Sequence, residues 1–141
     1  MKVPQITGMS CTLACFEAFS AQNDGIWTQR AIMLAFPDLC QGKEKVPGYV
    51  LTEDYVKLAS LIGIYCKPIP SLPLPAPHYP RQSILIGAGD YHGGEHSLLW
   101  IRPLPQERGL AMDPNPEVRN YVRFKLDQLK QWKSFCWLLR I

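Results

Sequence analysis

Apolar residues recur at helical spacing through the first half of the chain. The pattern predicts three helices, which span Ser10–Gln22, Thr28–Phe36 and Glu53–Leu61. Ser10 and Thr52 are residue types that favour the N-cap position, and Gly63 is typical of the residue after a helix end. The first half of the chain is therefore predicted to be helical.

The second half carries short apolar runs separated by turn-forming residues. These runs predict strands at Ile64–Lys67, Ser83–Gly87, His96–Arg102 and Gly109–Met112. The last two form an antiparallel pair joined at Pro103–Arg108, whereas the proline-rich stretch Pro68–Pro80 is predicted to be a loop, since proline cannot occupy a sheet interior. Helices followed by strands indicate an α+β fold in which N-terminal helices pack on a C-terminal antiparallel sheet.

The composition is that of one globular domain covering residues 1–141. A chain of this length buries roughly two-thirds of the surface that its unfolded form exposes, which is enough for a core. The net charge of +3 includes no basic run, so we expect no nucleic-acid partner. The basic residues of the C-terminal region are interpreted as solvated faces; they are Arg119, Arg123, Lys125, Lys130 and Lys133.

Cysteine usage and hydropathy indicate a compartment. The five cysteines are an odd number without zinc-like spacing, so we expect no disulfide framework, no metal and no cofactor. A reducing cytosol fits this best. No stretch approaches the roughly 18 apolar residues that span a bilayer, so stable membrane insertion is not expected. The N-terminus also lacks the apolar run of a signal peptide.

Four residues have the chemistry and order of an acyl-transfer site. Cys11, in the first turn of a predicted helix, is the candidate nucleophile, because a helix N-terminus and a nearby imidazolium both favour the thiolate. His96 is the candidate general base, and Asp113 would hold its second ring nitrogen. Gln5 would donate to the developing oxyanion beside the Cys11 amide.

Each candidate also has a purely structural interpretation. A cysteine on an apolar helix is usually a small core residue, which suits Cys15 best, together with Cys66 and Cys136. Asp113 before a proline is a turn former. His92 is a rival base, in a glycine-rich loop before His96 that forms either a cleft wall or a plain connection. Cys11 and Cys15, one helical turn apart, would alternatively form a redox pair.

The sequence resembles the double-glycine leader peptidases, papain-like cysteine peptidase domains that process bacteriocin precursors. The likeness lies in Val3-Pro4-Gln5-Ile6 followed by Ser10-Cys11-Thr12-Leu13-Ala14-Cys15-Phe16, in His96-Ser97-Leu98-Leu99-Trp100, and in Asp113-Pro114. It continues into a tail of helix and strand at Leu126–Trp132 and Phe135–Ile141. The resemblance implies a papain-like fold, and it assigns the nucleophile to Cys11 and not to Cys15.

The resemblance implies a hydrolase that cleaves a peptide bond or a glutamine side-chain amide, with deamidation as the leading variant and acyl transfer as a relative of it. The implied partner is a peptide or protein substrate, with a transporter or immunity protein encoded nearby. The implied location is the bacterial cytoplasm or, for an exported effector, another cell. Thr12 replaces the family glycine, which favours an alternative: a catalytically degenerate domain that binds a peptide or protein.

Overall fold

The computed structural model describes residues 4, 6–7, 10–22, 25–42, 46–68, 83–88, 95–106, 108–114, 122–125 and 133–140. Within these ranges three α-helices come first, and six β-strands follow them. The predicted α+β layout, with N-terminal helices and a C-terminal antiparallel sheet, is therefore confirmed.

The helices are α1 (Cys11–Gln22), α2 (Gln29–Ala35) and α3 (Tyr55–Leu61). Nine of the twelve residues of α1 are buried. A helix that is covered on nearly all sides belongs to the interior of a domain, and it needs few polar positions. None of the helices in the described part of the chain is long and apolar enough to cross a membrane.

Of the helices α2 and α3, only α2 begins with a threonine at its N-cap. Thr28 caps α2 as its side chain accepts a hydrogen bond from the Ala31 amide at 3.1 Å. The third helix was predicted to begin at Glu53 after a Thr52 cap, and this was wrong. Thr52–Asp54 forms a 3₁₀ turn, in which the Asp54 amide donates to the Leu51 carbonyl at 2.9 Å. This tighter i to i−3 bond delays α3 to Tyr55.

The six strands form one sheet in the order β1-β6-β2-β3-β4-β5, and all neighbours are antiparallel. The strands are β1 (Ile64–Pro68), β2 (Ser83–Ala88), β3 (Glu95–Leu104), β4 (Arg108–Met112), β5 (Val122–Lys125) and β6 (Lys133–Arg140). The four strands predicted in the second half are therefore present, and β3 and β4 pair as predicted. Of the predicted tail, the strand is confirmed as β6, while Leu126–Trp132 lies outside the described residues.

Two features of the sheet differ from the prediction. β3 continues through Pro103 to Leu104, and the pairing with β4 shifts between Trp100 and Arg102. A proline is tolerated beside such an irregularity because the ladder is already interrupted there. β5 was missed altogether: it is short, it carries two basic residues, and it lies at the edge of the sheet, where charge is common.

The core lies between α1 and the middle of the sheet. Leu13 and Phe16 of α1 are fully buried, as are Leu99 of β3 and Met112 of β4, whose Cα atoms are partners in the ladder. All four belong to one hydrophobic cluster. This packing holds α1 against the sheet at β3.

A tight turn supports the segment that leads into α1. The Thr7 side chain donates to the Pro47 carbonyl at 2.8 Å. Gly48 is buried and has a φ of 84°, a conformation that favours glycine. A Cβ atom added there would lie 2.7 Å from Thr7 Oγ1 and 2.8 Å from Ser10 Cβ. Gly48 therefore allows this turn to pack directly against the residue before Cys11.

The Gly48→Ala substitution should lower the free energy of unfolding by more than Gly63→Ala does. Gly63 has a φ of 79° but nothing within 4 Å of an added Cβ, so its substitution carries only the left-handed penalty of about 1–2 kcal/mol. Gly48→Ala adds a steric clash to that penalty. Urea unfolding of both variants measures the difference, and equal losses would show that the turn does not press on Ser10.

Candidate active site

Cys11 is the first residue of α1 and is largely buried. Its exposed fraction is 8%, against 0% for Cys15, 3% for Cys40 and 2% for Cys66. Among these four described cysteines it is thus the most accessible to solvent. Its position at the helix start is the one where unpaired backbone amides favour a thiolate.

Ser10 occupies the N-cap position of α1, because its carbonyl accepts from the Ala14 amide at 3.0 Å. Its hydroxyl, however, does not cap the helix as the sequence predicted. It accepts instead from the amides of Ile6 and Thr7, both at 3.0 Å. The side chain is therefore used to fold the preceding segment back onto the helix start.

A cluster of three buried hydroxyl groups lies beside Cys11. Thr12 Oγ1 is 2.7 Å from the Tyr55 hydroxyl and 3.0 Å from Ser97 Oγ, and Tyr55 is 3.4 Å from Ser97. All three residues are buried. We call Thr12, Tyr55 and Ser97 the hydroxyl cluster. It joins α1, α3 and β3 at a single point.

The hydroxyl cluster connects the neighbours of two candidate catalytic residues. Thr12 follows Cys11, and Ser97 follows His96. His96 is the second residue of β3, and its Cα is paired with that of Gly87 in β2. The backbone positions of Cys11 and His96 are thus each one residue from the Thr12–Ser97 contact. The His96 side chain lies outside the described part of the structure.

Asp113 lies directly after β4 and is buried, with 7% of its surface exposed. The charge of its carboxylate affects the thiol of Cys15, which lies one helical turn after Cys11 in α1. Burial raises the pKa of the Cys15 thiol well above its ordinary value, and the negative charges of Cys11 and then Asp113 raise it further. Cys11 and Asp113 therefore both lie within electrostatic range of Cys15.

The other candidates fall outside the described residues: Gln5, the rival base His92 and most of the glycine-rich loop before His96. No group of three His, Cys, Asp or Glu side chains in the described ranges is arranged to hold a metal ion. The absence of a cofactor stays a prediction.

The environment of Cys15 disfavours the redox-pair alternative. Its thiol is fully buried, and its raised pKa keeps it protonated near neutral pH. Burial likewise raises the pKa of Cys40 to about 11. Since the thiolate is the reactive form, neither residue is suited to attack a substrate or a disulfide.

Tyr55 and Ser97 were not predicted from the sequence as part of the site. Both form hydrogen bonds with Thr12, the residue after Cys11. Burial raises the pKa of the Tyr55 phenol, partly offset by its hydrogen bonds with Ser97 and Thr12, and Cys11 and Cys15 raise it further. The signal was present: Tyr55 shares the buried face of its helix with Leu58, Ala59 and Ile62. A polar group on such a face needs a buried partner.

Comparison with solved structures shows the fold. The peptidase domain of Streptococcus ComA, a bifunctional ABC transporter involved in a quorum-sensing pathway, matches with a TM-score of 0.75 at 14% identity, over 99% of this chain and 97% of that one. The peptidase domain of Streptococcus mutans ComA matches with a TM-score of 0.62 at 13% identity, over 98% of each chain. No family model and no curated protein matches the sequence.

These similarities extend over nearly the whole chain. The papain-like α+β fold, and the resemblance to leader peptidase domains that the sequence indicated, are thereby confirmed at the level of the fold. Within this fold, the helix that begins with Cys11 packs on the strand that begins with Glu95 and His96.

A double-mutant cycle should detect coupling within the hydroxyl cluster. We expect Thr12→Val to cost about 1–3 kcal/mol of unfolding free energy, because it removes two hydrogen bonds made by buried hydroxyls. Combined with Tyr55→Phe, the total should fall short of the sum by about 1 kcal/mol, since both changes remove the same 2.7 Å contact. Urea denaturation of the four proteins measures this. Strict additivity would contradict the contact.

Proposed function

We propose that the chain is a papain-like cysteine hydrolase with Cys11 as nucleophile, His96 as general base, Asp113 as the residue that orients His96, and Gln5 as oxyanion donor. One observation carries the proposal: the 3.0 Å contact between Thr12 and Ser97, the residues that follow Cys11 and His96, in a fold shared with peptidase domains. The charge of Asp113 near the same helix turn supports it.

The proposed reaction proceeds through a thioester. The Cys11 thiolate attacks the carbonyl carbon of an amide, and the oxygen takes up negative charge stabilised by backbone and Gln5 N–H donors. The C–N bond then breaks as the His96 imidazolium gives its proton to the leaving nitrogen. Water, deprotonated by His96, attacks the thioester, and Cys11 leaves as thiolate with the carboxylic acid as product.

The substrate is proposed to be a peptide or protein. Both solved structures described above are peptidase domains, which favours cleavage of a peptide bond over deamidation of a glutamine side chain. Both reactions use the same steps and differ in which amide enters the site, while an acyltransferase differs in the final acceptor. Mass spectrometry of candidate substrates distinguishes a shortened chain from an intact chain in which NH₂ is replaced by OH.

The degenerate-domain alternative loses its main support. It was favoured by Thr12, whose side chain replaces the hydrogen of the family glycine. That side chain is only 3% exposed and is bonded to Tyr55 and Ser97 inside the protein. Thr12 therefore strengthens the attachment of α1 to β3, and its presence does not favour loss of activity.

A biological setting follows from the same proposal. A peptide processed in the bacterial cytoplasm, beside a transporter, fits the fold of a domain taken from an ABC transporter. An exported effector with an immunity protein is the second setting. The two differ in the substrate and use the same chemistry.

The pH dependence of Cys11 alkylation tests the proposal. An ordinary thiol, with a pKa of about 8.5, loses roughly tenfold in thiolate for each pH unit below that value. With a thiolate–imidazolium pair, iodoacetamide should alkylate Cys11 almost as fast at pH 6 as at pH 8. Peptide mapping by mass spectrometry identifies the labelled residue.

Three variants serve as controls for this measurement. Cys11→Ala should abolish the rapid labelling, Cys15→Ala should retain it, and His96→Ala should restore the ordinary thiol profile. If the wild-type rate follows the ordinary profile, or if Cys11→Ala labels as fast as the wild type, the hydrolase proposal is wrong.

A further inference from the structure

Gln29 is a polar side chain buried within the helical half of the protein. It is the first residue of α2 and only 1% exposed. The proposed reaction gives it no role. Burying an amide group costs free energy unless its donors and acceptor are paired, so the partners of this side chain indicate what it is used for.

The side-chain amide of Gln29 binds the segment that precedes Cys11. Its Nε2 donates to the Pro4 carbonyl at 2.8 Å, and its Oε1 accepts from the Ile6 amide at 3.1 Å and from the Ser10 hydroxyl at 2.9 Å. A carbonyl only accepts and a backbone amide only donates, so these partners fix which end of the side chain is nitrogen. Gln29 thus pairs with the backbone as a neighbouring strand would.

Gln29 is itself attached to the helix that carries Cys11. Its backbone amide donates to Glu17 Oε1 at 2.8 Å, and Glu17 lies in the middle of α1. This bond fixes the position of Gln29 relative to α1, and with it the position of Pro4, Ile6 and Ser10, which the Gln29 side chain binds. The segment is therefore held in register with the candidate nucleophile at two places, at Ser10 directly before it and at Pro4 and Ile6 further back.

We propose that Gln29 is a positioning residue for the oxyanion step. Gln5, the proposed oxyanion donor, stands between Pro4 and Ile6 in the sequence, and Gln29 binds both of these neighbours. An oxyanion donor is effective because it is already aimed before the charge develops. The inference rests on the proposed function, since it assigns Gln29 a task within that reaction.

A comparison of two reagents separates this task from a general effect on folding. Acylation of Cys11 by p-nitrophenyl acetate passes through a tetrahedral oxyanion and releases p-nitrophenolate. Alkylation by iodoacetamide displaces iodide and forms no oxyanion. A change that misplaces the oxyanion donor slows acylation alone, whereas a change that disturbs Cys11 itself slows both reactions.

The experiment uses Gln29→Met, Gln5→Ala, the double variant, and Gln22→Met as a matched control at the exposed end of α1. Misplacement by about 1 Å can cost roughly a hundredfold in rate. We expect Gln29→Met to slow acylation by about ten- to a hundredfold and to leave alkylation within about twofold of the wild type. The double variant should be no slower than Gln5→Ala, because both changes remove the same donor.

Three outcomes would overturn the inference, the first two of them seen in acylation alone. The first is wild-type acylation in Gln29→Met, and the second is a double variant slower by the product of the two single effects. Equal slowing of both reagents would show that Gln29 acts on Cys11 or on folding, and would also overturn it. If the wild type shows neither an acylation burst nor rapid alkylation at low pH, the proposed function fails instead. Cys11→Ala provides the background rate.

Discussion

The register of α1 against the sheet depends on the hydrogen bonds of three buried hydroxyl groups, those of Thr12, Tyr55 and Ser97. Hydrophobic contacts hold α1 against the sheet, but they are non-directional and set no register. Hydrogen bonds at 2.7 and 3.0 Å have a preferred geometry and cannot be lost cheaply in a buried place. They fix the register of α1 relative to β3, and this register determines which residues lie beside Cys11.

A second set of contacts fixes the segment before the helix. Gly48 allows a turn to pack against Thr7 and Ser10, and Gln29 pairs with the backbone of Pro4 and Ile6. These supports come from different parts of the chain and meet at the same few residues. Pro4, Ile6, Thr7 and Ser10 are therefore held from two sides, and donors that are fixed in advance are the ones that best stabilise a developing oxyanion.

The sequence predicted what depends on local pattern. Apolar periodicity located α1 and β3, and the order of Gln5, Cys11, His96 and Asp113 indicated the chemistry, whose roles stay predictions. It did not predict the hydrogen bonds that attach α1 to the sheet. Thr12 and Ser97 are 85 positions apart, and nothing local marks them as partners. The Ser10 hydroxyl was expected to cap α1, but Ile6, Thr7 and Gln29 engage it instead. The edge strand β5 was missed because it is short and charged.

The proposed contact between the Cys11 sulfur and the His96 ring, on either side of the hydroxyl cluster, is the part of the mechanism on which the other steps depend. It is tested most directly by following the ring protons of His96 by NMR as a function of pH, in the wild type and in Cys11→Ala. With a thiolate beside it, the ring should hold its proton to a higher pH in the wild type than in the variant. Identical titration curves in the two proteins would contradict the claim.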